Sequence, residues 1–189
     1  ITTADLAAEL ARADDALAPQ DRLAHLIVTH FTDAFDAKVA GHDAPPPAWN
    51  DWLLTRHALP ALAGGQVMDW NQALTAGGGL PELQVGPTDL AILPYTSGTT
   101  GLPKGCMHPH SSIMHNSVAS GLWGNGCAEN VVLVVVPMFH ITGMVSVMHT
   151  SIRGAATLVV MPRWDRDLAG RLISRWKVTH WTNIPTMVI

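Results

Sequence analysis

The sequence predicts an α/β fold, a mostly parallel sheet flanked by helices on both faces. Three observations predict it. From residue 88 onward the pattern reads strand–loop–helix, strand–helix, strand–helix, strand, and right-handed crossovers make parallel pairing the simplest wiring of that order. Val131 to Val136 is almost unbroken valine, as expected of a strand covered on both faces. A glycine-rich turn, Tyr95-Thr-Ser-Gly-Thr-Thr-Gly-Leu-Pro-Lys-Gly105, leaves an apolar run at the carboxyl end of a strand, where such sheets hold their ligands.

Taken in order, residues 3–18 read as a helix. Thr3 is placed to cap it, Asp5 sits in its first turn, and Leu6, Leu10 and Leu17 supply an apolar stripe that Pro19 ends. Leu23 to Thr29 reads as a strand. Gly41 to Pro47 is a loop that its prolines hold extended. Asp51 to Leu62 reads as a short helix, and Met68 to Thr75 as another, stopped by Gly77-Gly78-Gly79. Asp89 to Tyr95 is a strand, and a helix runs from His110 or Ser111 to about Leu122. Residues 143–153 are helical despite Gly143, whose propensity is poor. Ala155 to Met161 is a strand closed by Pro162. Asp165 to Trp176 is an amphipathic helix with Leu168, Leu172 and Ile173 on one side, Asp165 at its start and Lys177 after its end. Val178 to Thr182 is the last strand.

Length allows one domain with a real core. Only 14% of the 189 residues are charged, against about 25% in ordinary globular chains, which suits a face that meets more protein. The net charge of -4 speaks against nucleic acid. Cys106 and Cys127 form no disulfide pattern, and no signal peptide is visible, so a reducing, cytoplasmic setting is expected. The longest apolar run, Val131 to Met138, falls far short of the ~20 residues of a membrane span. Ile1 in place of Met, and the apolar end Thr186-Met-Val-Ile189, read as a piece of something longer. A sheet cut from a larger one exposes an edge strand, so pairing with a second copy is expected.

The glycine-rich turn carries the chemistry. Glycines let backbone N–H groups approach an anion closely, four hydroxyls (Thr96, Ser97, Thr99, Thr100) add donors, and Lys104 adds a mobile positive charge. This combination grips phosphate. It is not the P-loop of nucleotide triphosphatases, which needs Ser or Thr after its lysine. Here Gly105 follows Lys104. His108, His110 and His115 have no ligand spacing, Cys106 has no base at a fixed separation, and Trp164, Trp176 and Trp181 read as packing residues.

The eleven-residue string resembles, almost residue for residue, the phosphate-binding signature of the AMP-binding, adenylate-forming superfamily. Pro137-Met-Phe-His140 with Gly143 is similar to that family's second core motif, Pro162-Arg-Trp-Asp165 to the segment after its next strand, and Asn183-Ile-Pro-Thr186 to its following strand and turn. Residues 88–189 match well as the phosphate-loop core. Residues 1–87 fit loosely as a leading region, the whole making part of the large N-terminal domain.

The resemblance implies that a carboxylate attacks the α-phosphate of ATP, giving an acyl-adenylate and pyrophosphate, and that CoA then takes the acyl group. It implies that Ser97, Gly98, Thr99, Thr100 and Gly101 hold the β- and γ-phosphates, with Thr96 helping to bind Mg²⁺. Lys104 follows the departing pyrophosphate and His140 borders the acid. The family's adenine-binding, ribose-binding and C-terminal lysine motifs have no counterpart here, so these 189 residues alone are expected to be inactive. Three readings follow from the sequence. The first is an acyl-CoA synthetase for a fatty or other apolar acid, partnered by the remainder of its own chain. The others are an adenylation domain loading amino or aryl acids onto a carrier protein, and a non-catalytic nucleotide- or protein-binding module.

Overall fold

The computed structural model describes residues 1–34, 44–79, 81–98 and 101–188. The chain divides into two compact units, Ile1–Glu82 and Leu83–Ile189.

The first unit is built on a three-stranded parallel sheet in the order β1-β2-β3, from Thr2–Thr3, His25–Thr29 and Gln66–Asp69. Helix α1 (Ala4–Asp15) connects the first two strands. Its packing face differs from the expected leucine stripe: Leu6 and Leu17 are exposed, and Ala4, Ala7, Ala11 and Asp14 are buried. Alanines at that spacing let the helix lie close on the sheet, where Ala4 and Ala7 meet Leu26 and Val28 with Leu10, Leu62 and Val67 around them. Thr3 occupies the capping position, but its side chain makes no capping bond; its backbone pairs with β2 instead.

The helix expected over 51–62 is a single turn and a half, α2 (Asn50–Leu54). Strand β3 was not expected, because four residues are too few for periodicity to separate from the helix that follows. Helix α3 (Trp70–Ala76) starts at a capping box, in which Asp69 accepts from the helix amides and Gln72 reaches back. It stops at Gly77, whose φ of 61° suits glycine.

The second unit holds a parallel sheet in the order β10-β8-β9, from His180–Trp181, Val131–Val134 and Thr157–Val160. The chain steps outward from β8 to β9, then back across β8 to β10. With right-handed crossovers this reversal puts the helical connection after β8 on one face and α6 (Arg166–Trp176) on the other. Leu133 and Val134 point to opposite faces and are 0% and 2% exposed, so the valine run is covered on both sides, as its composition predicted.

The connection after β8 is a π-helix, Thr142–His149, continued by α5 (Thr150–Arg153). Helix α6 is capped by Asp165, whose carboxylate accepts from the Leu168 amide at 2.8 Å. It ends at Lys177 in the left-handed conformation.

Upstream lies a separate antiparallel ribbon. Strand β4 (Leu90–Ile92) pairs with β7 (His108–Pro109), and β5 (Tyr95–Thr96) with β6 (Lys104–Gly105). Helix α4 (His110–Trp123) follows and packs on both the ribbon and the π-helix. The single strand expected over 89–95 is therefore broken at Leu93-Pro94, and the loop expected at the end of a parallel strand sits at a hairpin tip. Pro94 has no N–H for a continuous ladder, while its carbonyl accepts from Cys106 across the ribbon at 2.9 Å.

Candidate functional site

The hairpin register decides which loop side chains stand together. Thr96 lies directly opposite Lys104, and Tyr95 opposite Gly105. Directly opposed residues project to the same face, so the Thr96 hydroxyl and the Lys104 ammonium flank the mouth of the glycine turn. Tyr95 explains Gly105: a Cβ there would stand 3.3 Å from the tyrosine ring and 3.2 Å from Leu93. Ser97, Gly98 and Gly101 lie on the exposed tip. Gly98 has φ 63°, a left-handed conformation that a side chain would strain. Thr99 and Thr100 lie outside the described residues.

The ribbon's electrostatics favour anions. Between Leu90 and Ala128 the sequence has no Asp or Glu. Among the described residues Lys104 has no carboxylate partner. The nearest acid in sequence, Asp89, is occupied with the Gly86 amide at 2.7 Å. The N-terminus of α4 offers little more, because its first amides are spent within the protein. His110 N–H donates to the Asp89 carbonyl at 3.0 Å and Ser111 N–H to the Pro87 carbonyl at 2.8 Å. Any phosphate grip therefore rests on the loop's own amides, hydroxyls and lysine, not on a helix dipole.

His140 lies beyond the carboxyl end of β8, on the turn that enters the π-helix. The turn is tied by His140 N–H to the Pro137 carbonyl at 3.0 Å and by Met144 N–H to the His140 carbonyl at 2.9 Å. Gly143 is buried against it, and a Cβ there would stand 2.7 Å from the Val136 carbonyl oxygen. The spacing of His140 and Gly143 thus has a packing cause. Thr142 N–H donates to His140 Nδ1 at 3.2 Å. An amide can only donate, so Nδ1 is the acceptor and the neutral ring carries its proton on Nε2. The imidazole is exposed, and Nε2–H is its free donor.

The ribbon and the β8 turn belong to the same unit but to different sheets. Thr96 and Lys104 are brought together by register, and α4 bridges from their ribbon to the helix that His140 precedes. Sequence reasoning missed a further cluster, His30, Asp33, Arg56 and Asp69 in the first unit. Its members are spread over forty residues and carry no motif; only their places at strand ends hint at it.

Comparison with known proteins gives a consistent picture. The profile of the family described as AMP-binding enzyme matches residues 2–189. The chain is 37% identical over 115 residues to 4-coumarate–CoA ligase 1 of Arabidopsis thaliana, covering 58% of this chain and 20% of that protein. It is 38% identical over 115 residues to 4-coumarate–CoA ligase 2 of Nicotiana tabacum, covering 58% and 21%. The chain thus spans about a fifth of the length of these relatives. Its fold matches o-succinylbenzoate CoA synthetase of Bacillus subtilis in complex with ATP and magnesium, with TM-score 0.61, 22% identity, and 93% of this chain against 34% of that one. It also matches a malonyl-CoA ligase bound to methylmalonyl-CoA and AMP, with TM-score 0.59, 26% identity, 96% and 33% covered. No helix among the described residues is long and apolar enough to cross a membrane.

Proposed function

The chain belongs to the AMP-binding enzyme family, and from that premise we propose that its loop serves the ATP-dependent activation of a carboxylic acid, through an acyl-adenylate, to a CoA thioester. The observation that carries this reading is the hairpin register, which sets Thr96 beside Lys104 at the mouth of an acid-free glycine turn.

In the first step an oxygen of the acid attacks the α-phosphorus of ATP. The bond to the bridging oxygen breaks, and pyrophosphate leaves with that electron pair. Negative charge grows on the departing group, where fixed donors and a lysine lower the barrier. Ser97, Gly98 and Gly101, with Thr99 and Thr100 on sequence grounds, would hold the β- and γ-phosphates. Lys104, exposed and without a competing carboxylate among the described residues, would follow the pyrophosphate. His140, through Nε2–H, would donate to an oxygen of the acid or its adenylate. In the second step the CoA thiol adds to the acyl carbon, AMP leaves, and the thiol proton goes to solvent.

Magnesium ordinarily takes oxygen ligands from carboxylates, phosphates and water. The ribbon provides hydroxyls, Thr96 among them, and no carboxylate, so its residues fit an ion carried by the triphosphate rather than one caged by protein. Such an ion would neutralise phosphate charge.

Of the fatty or other apolar acids expected from the sequence, no fatty acid appears among the relatives named above, so 4-coumarate is the first acid to try. A carrier-protein acceptor in place of CoA is separated by supplying each thiol in turn to the acyl-adenylate. Calorimetry with pyrophosphate tests the loop directly. Lys104→Ala should weaken binding by about tenfold, the range of a lost charge-assisted contact, and unchanged affinity would refute the assignment. We expect the 189 residues alone to bind pyrophosphate without catalysing ATP–pyrophosphate exchange; robust exchange would overturn that expectation.

A further inference from the structure

A second constellation lies in the first unit, at the carboxyl ends of β2 and β3. His30 follows β2, Asp69 ends β3, and Asp33 sits on the turn between. The His30 and Asp33 side chains are 4% and 2% exposed, and Asp69 19%. One donor atom from each lies within 4.8 Å of the others.

The imidazole is set for coordination. Its Nε2 lies 3.1 Å from the His57 carbonyl oxygen. A carbonyl only accepts, so Nε2 carries the proton and Nδ1 presents a lone pair. That lone pair faces Asp69 Oδ2 at 3.7 Å and Asp33 Oδ2 at 3.9 Å. A ring N–H anchored to a backbone carbonyl is the outer arrangement that orients metal-binding histidines. The carboxylates are anchored as well. Asp33 Oδ2 accepts from His30 N–H at 2.7 Å and from the Thr29 hydroxyl at 3.4 Å, and Asp69 Oδ1 accepts from Asn71 N–H at 2.9 Å.

A cation already occupies the centre. Arg56 Nη1 lies 3.2 Å from Asp33 Oδ1 and from the Thr32 hydroxyl; Nη2 lies 3.4 Å from Asp69 Oδ2 and 3.4 Å from His30 Nδ1. The arginine side chain is 53% exposed, so it can move out to water once another cation takes over the carboxylates. One neutral imidazole and two carboxylates form a net charge of about -2 that a single guanidinium leaves half neutralised. A divalent ion would balance it fully. Donor separations in a tetrahedral site with bonds of about 2.1 Å are roughly 3.4 Å. The two gaps from the imidazole nitrogen, 3.7 and 3.9 Å, are a few tenths of an ångström wider.

We propose that His30, Asp33 and Asp69 form a binding site for a divalent transition-metal ion, with one imidazole nitrogen and two carboxylate oxygens as ligands and Arg56 as the resident cation that the metal displaces. The site is separate from the glycine loop and needs no nucleotide. Zinc or cobalt suits its donor set better than magnesium, which keeps to oxygen. Binding would tie the ends of β2 and β3 together and stabilise the first unit increasingly as the ion concentration rises above its Kd.

Titration of the chain with Co²⁺ alone, followed by optical absorption and by paramagnetic shifts of ¹⁵N-labelled histidine, tests this. The shifts should fall on His30. Arg56→Gln, which removes the charge and keeps a polar side chain, should tighten Co²⁺ binding by about tenfold or more, the scale on which neighbouring groups tune metal sites. Asp69→Asn retains the cap of α3 and should weaken binding by a similar factor in the Arg56→Gln background. The proposal fails if the shifts fall on other histidines, if Arg56→Gln leaves affinity unchanged, or if Asp69→Asn does. Pyrophosphate binding measured on the same variants should not move, so a failure of the loop assignment would show separately.

Discussion

Single residues carry most of the candidate chemistry, and they differ in how far sequence revealed them. The loop was legible because glycines, hydroxyls and a lysine crowd into eleven positions, and local crowding is what a sequence displays directly. Gly143 was legible as a motif member but not for its cause. It read as a poor helix former, whereas the structure shows a glycine pressed against the Val136 and Pro137 carbonyls. Gly143→Ala should therefore destabilise the second unit despite alanine's better propensity, by roughly 1–3 kcal/mol as for other overpacked sites. Urea denaturation would measure it, and a neutral or stabilising result would mean that the Pro137 turn yields. The proton position on His140 was not legible at all, since it depends on an amide two residues away meeting the ring.

At the scale of elements, strands β2, β8, β9 and β10 were read from their apolar runs, while β1, β3 and the ribbon were not. The valine strand, α4 and α6 came out close to their expected bounds. The ribbon did not, because its four strands are only two or three residues each and antiparallel pairing is a long-range choice. The buried face of α1 was misread because alanine counts little in a hydrophobic pattern yet packs best where a helix must come close.

The clamp between the ends of β2 and β3 has a pH consequence. Burial pushes the Asp33 carboxyl up, but the His30 amide and the hydrogen bond and charge of Arg56 outweigh it and hold the pKa below the usual value. The unfolded chain therefore binds the Asp33 proton more tightly than the folded one. The clamp's contribution is complete above about pH 4, the ordinary carboxyl range, and is lost as pH falls through the folded value. Thermal unfolding from pH 6 to 3 should show wild type losing this contribution and Asp33→Asn starting without it. Parallel curves for the two proteins would contradict the clamp.

For the whole molecule, the α/β class and its parallel ladders were readable from the alternation of elements, and the two compact units divide at Glu82, within the glycine- and proline-bearing stretch from Gly77 to Pro87. The strand order β10-β8-β9 fixes a sequence of events in time as well as in space. The middle strand is synthesised first, and its partner β10 is the last of the three to emerge. Until then one flank of Val131–Val134 has no neighbour. Thr179 closes that flank: its amide donates to the Val131 carbonyl at 2.9 Å, and its hydroxyl accepts from the Val131 amide at 3.0 Å. A chain stopped before Val178 would leave a naked valine edge, a template for intermolecular pairing. Light scattering should show such a shortened chain aggregating where the 189-residue chain stays dispersed, and equal dispersion would show that the edge is protected by other means. A nascent chain thus faces its greatest hazard between the making of β8 and the arrival of Thr179, which lies forty-eight positions after Val131.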